Sequence, residues 1–130
     1  MGESRADLDA GRHEAVVESQ LEGALGTLPS EAFASLIVAY EPWWAIGAGA
    51  RVAPLGHVGG MHALIGRWLM SRTDGRRVTP VLYGGSVDLD NAPTLLALDD
   101  VDGLFVGRAA LDPRTFARIA RLRGRWAGGR

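Results

Sequence analysis

Three short segments hold residues whose types and spacing could do chemistry. In the first, the apolar run Leu36-Ile37-Val38-Ala39-Tyr40 stops at Glu41, followed by Pro42, Trp43, Trp44 and the small-residue stretch Gly47-Ala48-Gly49. In the second, an apolar run ends in Tyr83-Gly84-Gly85-Ser86, and in the third another ends in Gly107-Arg108-Ala109. The last two are built alike, an apolar run passing through glycine into a helix start. Successive backbone N–H groups at such a turn make a concave nest for an anion, and the helix N-terminus adds partial positive charge. Glycine is expected there so that the backbone can reach positive φ and approach a ligand. One such turn is usually only a turn; two on consecutive strands point to phosphate. Glu41 taken alone is more often a solvated strand-end charge. Beside it, however, Trp43, Trp44 and Ile46 offer apolar cover and the glycines offer hinges, as a lid over a carboxylate requires. Desolvation makes a carboxylate a stronger base, suited to removing a proton next to a carbonyl.

The elements that must position these residues follow from periodicity. Val17, Leu21, Ala24, Leu25 and Leu28 repeat at helical spacing over 14–28, ahead of Pro29. Residues 36–40 read as a short strand apolar on both faces, the pattern of a strand covered on both sides. Pro54 opens a second helix with Val58, Met61, Ile65, Trp68 and Leu69 as its stripe. Residues 78–83 form another strand, and Asp88 reads as the N-cap of a helix through Leu95 and Leu96. A third buried strand covers 103–106, and Asp112-Pro113 starts a last helix carrying Phe116, Ile119 and Leu122. Short apolar strands alternating with helices imply a parallel α/β sheet, whose working residues lie at the carboxyl ends of the strands. Pattern alone leaves a barrel and an open doubly wound sheet both possible. The arginine- and glycine-rich tail, 124–130, reads as frayed.

Bulk composition narrows the function classes. The chain has 130 residues, 47% hydrophobic and 22% charged, which is ordinary for a globular domain. A net charge of -1 argues against a nucleic-acid partner, and the lack of cysteine excludes disulfides and thiolate metal sites. No apolar run suits a membrane span and the first residues do not open a signal peptide, so a cytoplasmic location is expected. All 14 basic residues are arginine, so no lysine of this chain can take part in any chemistry. His13, His57 and His62 fall in predicted helices and read as structural.

Together, "AYEPWWAIGAG", "VLYGGSV" and "VDGLFVGRAALDP" resemble strand 6 with loop 6, strand 7 with its phosphate loop, and strand 8 of triosephosphate isomerases. "GESRADLDAGRHEAVVESQL" is similar to the segment after strand 5, and the resemblance runs in order from Gly2 to about Leu122. It implies the C-terminal portion of a (β/α)₈ barrel, over 1–123, and interconversion of dihydroxyacetone phosphate and glyceraldehyde 3-phosphate through an enediolate, in glycolysis and gluconeogenesis. Carried over by position, Glu41 would be the base. Gly47, Ser86, Gly107 and Arg108 would offer backbone N–H groups to the phosphate. Tyr83 and Ser86 would latch the closed loop, Trp44 and Ile46 would also serve loop closure, and Glu3 would hold Trp44 in the open one. Ile46 and Val106 would shield the base, and no cofactor or metal is implied.

The sequence departs from the family pattern at Trp43, Ala48 and Arg108, where a smaller apolar residue, threonine and glycine are usual. Arg108 also suggests the paralogues that isomerise phosphorylated tetruloses. A complete barrel takes about 250 residues. The family's lysine and histidine electrophiles belong to strands outside the matched stretch, and each lost partner costs roughly 3–4 kcal/mol of transition-state stabilisation. The isolated chain is therefore expected to be inactive, a half-barrel with two open sheet edges. The homodimer usual in the family, formed through a loop also outside this stretch, is not expected of it.

Overall fold

The computed structural model describes residues 1–47 and 49–122. Five helices and three strands alternate: α1 (Arg5–Asp9), α2 (His13–Leu25), β1 (Val38–Tyr40), α3 (Leu55–Ser71), β2 (Val81–Tyr83), α4 (Ala92–Leu96), β3 (Gly103–Leu104) and α5 (Pro113–Ala120). Short 3₁₀ helices sit at Ser30–Ser35, Trp43–Ala45 and Arg108–Leu111. The strands form one parallel sheet in the order β1-β2-β3, with Val38 beside Val81, Tyr40 beside Tyr83, and Tyr83 beside Leu104.

Strand alternation divides the sheet into two unlike faces. Val38, Tyr40, Val81 and Tyr83 point to the helices, where they are buried with Val17 and Leu21 of α2 and Val58, Met61 and Ile65 of α3. The other face carries Ile37, 68% exposed, and Phe105, 53% exposed, with Ala39 and Leu82 half-buried between them. The expectation that 36–40 and 103–106 are covered on both sides is therefore corrected. Apolar residues on both faces of a barrel strand serve one layer against the helices and another against the barrel interior, and only the first layer is filled here.

The strands are also shorter than their apolar runs. Thr79 donates its hydroxyl to the Phe33 carbonyl and Pro80 has no N–H, so Pro80 joins the sheet only through its carbonyl, which accepts the Val38 N–H at 3.0 Å, and β2 begins at Val81. The Val81 N–H meets Asp102 Oδ2 at 2.7 Å, and Asp102 is in turn held by Arg77 at 2.8 Å. Of the two edges expected to be open, that of β1 is lined by the first residues. The Met1 nitrogen donates to the Ala39 carbonyl, the Glu41 N–H to Met1 and the Trp43 N–H to Glu3, a parallel pattern. Gly2 sits against Glu41 so tightly that a Cβ would lie 2.0 Å from the Glu41 carbonyl oxygen.

Helix ends show where local chemistry outran periodicity. Helix α1 was not expected, although its signal is local: Ser4 and Asp7 make a reciprocal capping box. Asp112 caps α5 through the Arg114 and Thr115 N–H groups, as expected. Asp88 does not cap α4. Its carboxylate closes its own turn on the N–H groups of Asp90 and Asn91, and the helix starts at Ala92. Helix α5 ends at Ala120, short of Leu122, and leaves Phe116 45% exposed. The tail, 124–130, lies outside the described residues.

Candidate active site

The carboxyl ends of the three strands bring the sequence's candidates to one place. Beyond the paired positions Tyr40, Tyr83 and Leu104, the next residues are Glu41, Gly84 and Phe105, side by side on the open face. An open cleft of 780 Å³ lies over them. Glu41, Ile46, Gly47, Ser86, Gly107 and Arg108 line it together. These residues are spread over more than sixty positions of sequence and share one wall only because the strands are parallel and in register.

The two strand exits work by different means from those the sequence suggested. Gly84 and Gly85 are not at positive φ; the left-handed residue of that turn is Ser86, at φ 49°. Gly84 is needed because a Cβ would lie 2.7 Å from Glu41 Cγ, and Gly85 because one would lie 2.5 Å from the Tyr83 hydroxyl. The pair clears space for the Glu41 side chain and the Tyr83 ring. Ser86 carries its strained conformation, a cost on the order of 1 kcal/mol, through three bonds. Its single Oγ–H is shared between the carbonyls of Ala45 (2.8 Å) and Ala50 (3.1 Å), and its carbonyl accepts from Asn91 Nδ2. At the other exit Gly107 has φ -90° and ψ -106°, and its Cβ position is unobstructed. The N–H groups of Arg108 and Ala109 open the 3₁₀ turn without intrahelical acceptors.

The segment between Glu41 and α3 is pinned at both ends. Trp44 Nε1 donates to Glu3 Oε1 at 2.9 Å, and Arg5 lies 5.8 Å over the indole. Ser86 ties Ala45 and Ala50, and the Tyr83 hydroxyl accepts from the Ala53 N–H at 3.1 Å. Trp44 and Tyr83 thus lie outside the lining of the cleft. Trp43 is 65% and Ile46 47% exposed, so the apolar cover stands away from Glu41, itself half-buried. Ala48 lies outside the described residues. Val106 lies with Leu96, Phe116 and Ile119 on the helix side; Phe105, just past β3, is the residue that faces the cleft.

Arg51 escaped sequence reasoning: it lines the same cleft as Arg108, and nothing in its loop position announced that. Glu3, which the resemblance paired with Trp44, does accept from the Trp44 indole; it is wholly buried and also gathers Tyr40 and His57 around its carboxylate, which the sequence did not announce. Burial and the Glu3 charge push the Tyr40 hydroxyl far above its ordinary pKa, so it stays a donor. His62 is held between Tyr40 and Tyr83, donates Nδ1–H to the Asp100 carbonyl at 3.1 Å, and is pushed down to about 4 by burial. No histidine lines the cleft.

Parallel strands with helices on one side are a portion of a (β/α) barrel, with a carboxylate and two glycine-containing turns at the carboxyl ends of the strands. The family model for triosephosphate isomerase matches residues 1–123, and the chain belongs to that family. It is 40% identical over 121 residues to the triosephosphate isomerase of Halorhodospira halophila, a match covering 92% of this chain and 48% of that protein. With the triosephosphate isomerase of Azoarcus sp. the identity is 41%, over 93% of this chain and 49% of the relative. With that of Xanthomonas campestris pv. campestris it is 44% over 123 residues, 93% and 48%. The chain spans about half the length of the curated relatives it matches.

Proposed function

We propose that this chain carries the base and phosphate half of a triosephosphate isomerase site. The single observation behind the reading is that Glu41 and both phosphate-type turns line one cleft. In this reading Glu41 removes a proton from C1 of dihydroxyacetone phosphate and returns it to C2 of the enediolate, giving glyceraldehyde 3-phosphate. The N–H groups of Gly47, Ser86, Gly107 and Arg108 hold the phosphate. Closure would release Trp44 from Glu3 and carry Ile46 over Glu41, excluding water that would protonate the enediolate or promote loss of its phosphate. The chain itself offers no lysine and no cleft histidine to polarise the substrate carbonyl, so by itself it is proposed to be inactive. Its small phosphorylated substrate fits a protein working in the cytoplasm, without nucleic acid or membrane.

The test pairs the chain with the N-terminal half of a family barrel and follows isomerisation of either triose phosphate. Activity is expected in the paired sample alone, and Glu41→Gln lowers it by about 10²–10⁴-fold, the ordinary contribution of a general base. Undiminished turnover in that variant would remove Glu41 from the role. Turnover by the unpaired chain would overturn its inactivity. A second reading, a tetrulose phosphate as substrate, is favoured by the exposed Arg108 on the cleft wall, with Arg51 nearby in the lining. Relative kcat/KM for the triose and tetrulose phosphates decides between the two. If the paired halves associate and turn over neither substrate, the chain is a non-catalytic half-barrel.

A further inference from the structure

The histidine that sequence reasoning set aside as structural sits at the anchor of the lid. His57 lies in the first turn of α3, and its Nε2 is 3.0 Å from Glu3 Oε1 and 2.9 Å from the Tyr40 hydroxyl. The oxygen it meets is the one that accepts the Trp44 indole N–H at 2.9 Å. An ionised carboxylate only accepts, so Nε2 must carry a proton to satisfy that contact. Tyr40 also reaches Glu3, at 3.0 Å to Oε2 and 3.2 Å to Oε1. Three donors therefore share one buried carboxylate, two of them fixed on packed elements and one on the segment 43–50.

This arrangement has a consequence for Trp44. A buried carboxylate deprived of donors carries a large desolvation penalty, whereas one that keeps two loses little when the third departs. Two donors on one oxygen also draw on the same charge, so each binds less tightly than it would alone. We infer that His57 is a positioning residue for the lid: a competing donor that keeps Glu3 satisfied when Trp44 leaves and so eases its release. The inference rests on reading 43–50 as the lid of the proposed site. Its test reads the anchor directly, so a failed isomerase assay and a failed anchor measurement are separate results.

The groups facing His57 are Glu3, the Tyr40 hydroxyl on β1, the Trp44 indole with Arg5 above it, and the His13 ring of α2 at 5.3 Å. In the ¹⁵N-labelled full-length chain, hydrogen exchange of the Trp44 indole N–H is measured relative to that of Trp68. His57→Leu fills the space and removes the donor; exchange at Trp44 is expected to slow about fivefold, the worth of one ordinary net hydrogen bond. His57→Gln keeps an N–H donor and is expected to restore exchange to near that of the unsubstituted chain. Unchanged or faster exchange in the leucine variant, or identical behaviour of the two variants, overturns the inference.

Discussion

Replacing His62 with leucine isolates one buried group's effect on stability against pH. The imidazole is fully buried and its Nε2 has no partner among the described residues. Burial lowers it to about 4; the Asp100 carbonyl and the charges of Asp102 and Asp100 only partly oppose that, and Arg77 adds to it. The unfolded chain protonates His62 near the ordinary 6.5, whereas the folded chain does not until about 4. The unfolded state therefore gains protons first. The group's contribution is complete above pH 6.5, falls as pH drops toward 4 and levels off below that. At about 1.4 kcal/mol per pH unit of displacement, the loss between pH 7 and pH 4.5 is on the order of 2–3 kcal/mol. Leucine has no such group, so urea unfolding of the two chains at both pH values should show a difference of differences of that size. Carboxylates that titrate in both chains cancel. If the chains lose equal stability over this window, the attribution to His62 is wrong.

Two further substitutions probe the frame around the cleft. Gly84→Ala puts a Cβ where Glu41 Cγ and Cδ now lie, 2.7 Å and 3.0 Å away. The chain should keep its fold by circular dichroism, while activity of the paired halves falls as steeply as in Glu41→Gln because the carboxylate is pushed aside. Asp102→Ala strips the Val81 N–H of its acceptor and Arg77 of a partner at the opposite end of β2. A cost of about 2–3 kcal/mol is expected in denaturant midpoint analysis, with phosphate affinity of the paired halves unchanged.

Much of the fold was legible in the sequence because its signals are local. The alternation of short apolar runs with helical stripes announced parallel β-α units, and Asp112-Pro113 announced a helix start that Asp112 does cap. The runs overstated strand length, because apolar character extends past the point where Pro80 and Thr79 interrupt pairing. Asp88 misled for a related reason: a carboxylate can close its own turn as readily as a helix. The cleft residues were readable as types at strand exits, while the reason for Gly84 was not. A glycine that makes room looks like a glycine that bends, and only its neighbour, 43 residues earlier in the chain, tells them apart.

By itself the sequence determined the periodic elements, the order of the three chemically marked exits and the family they spell. Those features depend on residues within a few positions of each other, so they survive in one dimension. Tertiary structure decided which face of the sheet is filled and that the Gly84 backbone yields space to Glu41. It also decided that Arg51 joins Arg108 in the cleft wall. It alone brought Tyr40 and His57 to Glu3, whose contact with Trp44, 41 residues away, the family resemblance had implied. Side chains from three elements converge on one buried carboxylate because a charge removed from water must find its donors wherever packing supplies them.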